Sequence, residues 1–172
     1  ETATSGQIKI GERIVNDLKP ADRNVAMAFE GYALYPPLTV KDNIAFSLMR
    51  EKISKDKVDS KVMEVAELLE ITDILERYPP SISGGQQQRV SLARALVRDS
   101  DALLLDEPMS QLEPQLRAVL RARVKDYIQH NNKTVIFVTH DQTEAVALAD
   151  KIAVMENGDL KQLASPYEIS AK

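Results

Sequence analysis

Ile82-Ser83-Gly84-Gly85-Gln86-Gln87-Gln88-Arg89-Val90 and, one short helix later, Leu103-Leu104-Leu105-Asp106-Glu107-Pro108 decide how this chain is read. The first stretch opens a helix that the pattern carries from about Gln86 to Arg98. Two glycines let a backbone approach a ligand closely, and the free N–H groups of a first helical turn point outward, where an anion can meet them. Ser83 adds a hydroxyl. The second stretch is an apolar strand that runs into two acids. Carboxylates there are costly to desolvate unless a cation or strong donors meet them. Magnesium carried by a nucleotide is one such partner, with Asp106 holding it through water and Glu107 polarising an attacking water. Taken singly, each stretch also has a plain reading: a glycine-rich helix cap and a solvated turn.

Working outward, helices and strands alternate. Pro114 to about Gln129 reads as a helix leading into the strand Thr134-Val135-Ile136-Phe137-Val138, and Asp141, with Glu144 three residues on, caps another helix. Ile152-Ala153-Val154-Met155 then meets an Asn157-Gly158 hairpin turn. Upstream, Gln7–Ile10 and Arg13–Asn16 flank Gly11 as short antiparallel strands, and Val25-Ala26-Met27-Ala28-Phe29 reads as a strand buried on both faces. From Thr39 the period becomes helical: Thr39 caps, and Val58, Val62, Val65 and Leu69 make a second amphipathic helix before Pro79-Pro80. The expected fold is therefore α/β with a parallel sheet, N-terminal antiparallel strands and a small α-helical insertion. Three segments follow: residues 1–38, a β region; 39–98, a helical subdomain carrying the glycine-rich helix start; and 99–172, the remaining α/β core.

Ligands of open parallel sheets bind beyond the carboxyl ends of the strands. Asp106 and Glu107 fall at that edge, and so does His140 in Val138-Thr139-His140-Asp141, where an imidazole could reach a phosphate or serve as a structural hydrogen-bonder. His130, before Asn131-Asn132, reads instead as a helix-terminating residue that complements the helix dipole.

Composition narrows the classes. Hydrophobic residues are 44% and charged residues 28%, which argues against wholesale disorder. A net charge of −4 with scattered Lys and Arg gives no footprint for nucleic acid. There is no cysteine, so disulfides, thiolate metal sites and Cys nucleophiles are excluded. No apolar run approaches the roughly 20 residues of a membrane helix.

Together, the two opening stretches resemble, in order and spacing, the signature motif and Walker B strand of the ABC transporter ATPases. Ser110-Gln111-Leu112-Glu113 then looks like the family's D-loop, His140 like its switch histidine, and Phe29-Glu30-Gly31-Tyr32 stands in place of its Q-loop. The stretch from Tyr32-Ala33-Leu34-Tyr35-Pro36 through Asn43-Ile44-Ala45-Phe46 is most similar to importer ATPases that serve sugars and related polar solutes. The resemblance implies a P-loop NTPase (RecA-like) sheet that is incomplete here. It implies ATP and Mg2+ as cofactors, Glu107 and His140 as catalytic residues, and Asp106 and Glu30 as metal ligands. Ser83, Gly84, Gly85, Gln86 and Glu113 would bind nucleotide. The implied partners are a second ATPase subunit, whose ATP the signature motif would cover in trans, and a membrane permease docked around Glu30–Pro36 and the helical insertion. The implied location is the cytoplasmic face of the membrane.

Three departures from the family pattern are visible. Glu30 stands where the family has glutamine, and Glu113 where it has aspartate. No Gly-x-x-x-x-Gly-Lys-Ser/Thr occurs, since none of Gly6, Gly11, Gly31, Gly84, Gly85 and Gly158 is followed by lysine. The family's phosphate loop precedes the segment matching Thr4–Ile8, and many sugar-importer ATPases continue past Pro166–Ile169 into a regulatory β domain. The expectation is a fragment of an energy-coupling ATPase that is inactive alone, its apolar sheet edge beside Thr134–Val138 open to self-association or to a partner chain. Two other readings stand beside it: a non-hydrolytic interaction module, and an ATPase head of the DNA-repair or chromosome-maintenance type. The short helical insertion and the absence of heptads and of a basic face weigh against the last.

Overall fold

Residues 2–170 are described by the computed structural model; Glu1, Ala171 and Lys172, at the outer ends of the first and last sequence segments, lie outside them. The chain opens on two-residue strands, β1 (Lys9–Ile10) and β2 (Arg13–Ile14), paired antiparallel around Gly11, whose φ of +57° suits glycine. They are shorter than the alternation predicts, and among the described residues they form a sheet of their own. β3 (Val25–Ala28) follows, then α1 (Val40–Phe46), whose start is fixed by Thr39: its side chain accepts a hydrogen bond from the Asp42 N–H. α2 (Lys55–Leu68) is capped the same way by Ser54. Two 3-10 turns lead to α3 (Gly84–Leu96). Then come β4 (Ala102–Asp106), α4 (Pro114–His130), β5 (Val135–Val138) and α5 (Gln142–Leu148), capped by Asp141. The hairpin of β6 (Ile152–Glu156) and β7 (Asp159–Ala164) turns at Asn157 and Gly158, both with positive φ, and α6 (Pro166–Ser170) closes the chain.

The central sheet has the order β3-β4-β5 with every pair parallel. Its register sets Met27 beside Leu104 and Leu104 beside Ile136 on one face, and Ala28, Leu105 and Phe137 in the next row on the other. That second face meets the core. α3 packs on β3 and β4, and Ala26, Ala28, Leu103 and Leu105 join Val90, Leu92 and Leu96 of α3, Ile44 and Leu48 from α1 and its end, and Val62, Val65 and Leu69 around α2. Leu120 and Val124 of α4 complete this cluster.

The expectation that β3 is buried on both faces is corrected. Ala26 and Ala28 are buried, but Met27 and Phe29 are exposed, as are Ile136, at 60%, and Val138. A continuous apolar run is compatible with two covered faces or one; α3 lies on only one of them. β5 is also an edge strand among the described residues.

Candidate functional site

Parallel register places the acids and the histidine together. Asp106 is the last residue of β4 and pairs with Val138, the last residue of β5, so the turns that follow leave the sheet side by side. Glu107 turns sharply here: its φ is +47°, the left-handed region, which costs a side-chain-bearing residue roughly 1–2 kcal/mol. Its N–H donates to the Val138 carbonyl at 2.9 Å, continuing the ladder by one bond. The turn brings its carboxylate to His140. Glu107 Oε1 accepts from the His140 N–H at 2.8 Å and lies 2.7 Å from His140 Nδ1, which requires the ring proton on Nδ1. The carboxylate side is mostly covered, at 18% exposed, whereas the imidazole is 82% exposed. The hydrogen bond that its ring donates to Glu107, then the negative charge of that carboxylate, holds the His140 pKa above the ordinary histidine value.

Neighbouring groups brace the turn. Thr139 Oγ1 donates to buried Glu144 at 2.9 Å and accepts from the Asp141 N–H, and Asp141 Oδ1 accepts from the N–H groups of Thr143 and Glu144. Those backbone bonds, Thr143 first, hold the Asp141 pKa low. Arg117 donates to the carbonyls of Ser110 and Leu112 and sits 3.7 Å from Asp141, linking the loop after β4 to the loop after β5.

The glycine-rich helix start forms a capping box. Ser83 Oγ accepts from the Gln86 N–H at 3.2 Å, and Gln86 Oε1 accepts from the Ser83 N–H at 2.9 Å. The helix therefore begins at Gly84, two residues earlier than the pattern predicts. Ser-x-x-Gln is the sequence signature of that box and could have located it. A Cβ on Gly85 would stand 3.2 Å from the Gln111 carbonyl, tighter than ordinary contact, so glycine lets the helix start lie against the loop that follows β4. Gly84 has no such crowding.

The other candidates stand apart. Glu30 is exposed in the turn after β3, at the same sheet edge as the acids. Glu113 is exposed at the N-cap position of α4, with no capping bond from its side chain. His130 ends α4. Among the described residues no three of His, Cys, Asp and Glu gather closely enough to hold a metal by themselves. Sequence reading missed Gln88 and Arg117, whose roles depend on what lies across from them; no local pattern announces either.

A helix start packed against the loop between two strand-end acids and the next helix is the arrangement of an ATP-binding cassette. The dimeric structure of a post-hydrolysis state of the ATP-binding cassette MJ0796 bound to ADP and Pi matches with a TM-score of 0.84 at 26% identity, covering 96% of this chain and 75% of that one. Over residues 1–110 the sequence matches the ABC transporter family, and the chain belongs to it. Its relatives include the sn-glycerol-3-phosphate import ATP-binding proteins of Ruegeria pomeroyi, 46% identical over 169 residues, and Rhodopseudomonas palustris, 47% identical over 172. These alignments cover 98% and 100% of this chain but 48% and 47% of the relatives, so the chain spans about half their length.

Proposed function

We propose that this segment belongs to the ATP-hydrolysing, energy-coupling subunit of an importer of sugars or related polar solutes. The observation that carries the reading is the Glu107 carboxylate fixed at the sheet edge by His140. Oε1 takes both bonds from His140, which leaves Oε2 to accept a hydrogen bond from an attacking water and hold it in line. Asp106, whose carboxylate accepts no hydrogen bond from a described residue, supplies a hard oxygen for magnesium; the ion would neutralise charge on the phosphates when bound. His140, its ring largely exposed, can donate to a phosphate from Nε2 when protonated. The residues present thus fit magnesium and the reacting end of a nucleotide. They do not supply the cradle for its inner phosphates, because the sequence holds no Gly-x-x-x-x-Gly-Lys-Ser/Thr.

In the pairing that the family resemblance implies, the first two N–H groups of α3, at Gly84 and Gly85, and the Nε2 of Gln86 would meet the nucleotide of a second subunit. Ser83 Oγ keeps its proton to donate. Glu30 can still reach toward magnesium but adds negative charge beside phosphates. Among the described residues no helix is long and apolar enough to cross a membrane, so coupling would pass through a permease at the inner membrane face.

The test is magnesium-dependent ATP turnover by the full-length protein and its Glu107→Gln variant. General-base and water-orienting groups contribute about 100- to 10,000-fold, so a loss in that range is expected. The 172-residue chain alone should show no turnover. Equal turnover by wild type and variant would end the reading.

A further inference from the structure

The three consecutive glutamines of α3 have three different tasks. Gln86 closes the capping box. Gln87 turns back, its Nε2 donating to the Pro79 carbonyl at 2.9 Å. Gln88 alone crosses to the strand end. It is 1% exposed, and its amide is wholly engaged there: Nε2 donates to the Glu107 carbonyl at 3.0 Å and to Ser110 Oγ at 3.1 Å, while Oε1 accepts from the Gln111 N–H at 2.9 Å.

Those partners surround Glu107, whose backbone is left-handed. Glu107 will relax out of that region unless its peptide groups are held, because strained φ/ψ persists only where the surroundings over-determine it. Its N–H is held by β5. Its carbonyl is held by Gln88 Nε2 and by Ser110 Oγ at 3.2 Å. Rotation of this peptide would swing the carboxylate away from His140. A buried amide with all three contacts on one loop is also costly to leave unpaired, so the link is stiff.

We propose that Gln88 is a positioning residue for Glu107. It pins the left-handed turn that aims the carboxylate, and it ties that turn to the same helix whose first residues, Ser83 to Gly85, face the nucleotide of a second subunit. Engagement at the helix start is thereby mechanically joined to the placement of this chain's own water-orienting acid. The inference rests on the ATPase reading above and adds to it a residue that never touches nucleotide.

The experiment uses the full-length protein, with steady-state ATP turnover, thermal unfolding and two variants. Gln88→Met keeps the length and apolar bulk of the side chain and removes every bond; it should lower kcat by about 10- to 100-fold, the scale of a misplaced catalytic group, with KM for ATP within about twofold. Placed on Glu107→Gln, it should cause no further loss, since there is no carboxylate left to aim. Ser110→Ala removes the other side-chain donor to the Glu107 carbonyl and should lower kcat by a smaller factor at unchanged KM. Wild-type kcat in Gln88→Met, a loss confined to KM, or an equal fold-loss in the Glu107→Gln background would overturn the positioning role. Should Gln88→Met fail to fold, Ser110→Ala decides alone, and wild-type turnover in it overturns the proposal. Absence of magnesium-dependent turnover in the wild type would overturn the ATPase reading instead, a distinct outcome.

Discussion

On one face of the β3-β4-β5 sheet, Ala26, Ala28, Leu103 and Leu105 are sealed beneath α3; on the other, Met27, Phe29, Ile136 and Val138 stand in solvent. Both faces are built from the same apolar residue types, and the strands are parallel. Parallel sheets are ordinarily covered on both sides, and a contiguous exposed apolar patch marks a surface meant for contact. The difference locates the stability of these residues on the helical side. The open face, with β5 as the edge strand among the described residues, is where burial remains to be gained.

Substitutions sharpen this contrast most directly. Leu105, at 1% exposed, faces the sealed side. Leu105→Ala should destabilise by about 3 kcal/mol, the middle of the range for emptying a packed leucine site, read as a lower urea midpoint. A comparable loss is expected from Asn43→Ala on the same side. Asn43 is fully buried in α1, where its Nδ2 donates to the carbonyls of Tyr35, Leu38 and Thr39 and its Oδ1 accepts from the Tyr35 N–H. Removing it takes the partner from the Tyr35 N–H and the Leu38 carbonyl in part-buried surroundings, each worth about 1–3 kcal/mol, while the Tyr35 and Thr39 carbonyls keep the N–H groups of Leu38 and Asn43. Ile136→Ala should cost below about 1 kcal/mol, as for a surface site. An Ile136→Ala loss equal to that of Leu105→Ala breaks the contrast and means that something covers the open face in solution. Light scattering then identifies self-association, and Ile136→Glu should abolish it.

Much of this was legible in the sequence because the signals are local. Thr39 and Asp141 cap helices by bonding to N–H groups two or three residues on, and Asn157-Gly158 supplies the positive φ its hairpin turn needs. The strand-end position of Asp106, Glu107 and His140 follows from apolar runs that stop at polar residues. What stayed hidden is decided across the fold. The run Val25–Phe29 looks the same whether one face or two is covered. The left-handed turn at Glu107 has no glycine to announce it. Gln88 reads as one more polar residue on an amphipathic helix, and only its position opposite Glu107 makes it a buried brace. Arg117 is similar: a charge on a helix surface until the two loops beside it are in place.

The smallest effect lies at the rim where the two faces end, and it tests whether the strand-end turns are built as described. His140 has its pKa raised, first by the hydrogen bond to Glu107, then by that carboxylate's charge, with Asp141 and Glu144 adding to it. A group whose folded pKa lies above its unfolded value stabilises fully below the unfolded value, here near 6.5, and loses that contribution as pH rises through the raised one. Because the ring is exposed, water and salt screen the contact, and the consequence for stability is slight. The titration itself is the better measurement. The chain has two histidines, His130 and His140, so two sets of ring resonances report on it. The His140 midpoint should lie above 6.5 and fall toward it in Glu107→Gln. It should fall partway in Gln88→Met, where the carboxylate is present but no longer aimed. A His140 midpoint indifferent to Glu107→Gln would mean that the turn does not bring the two side chains together.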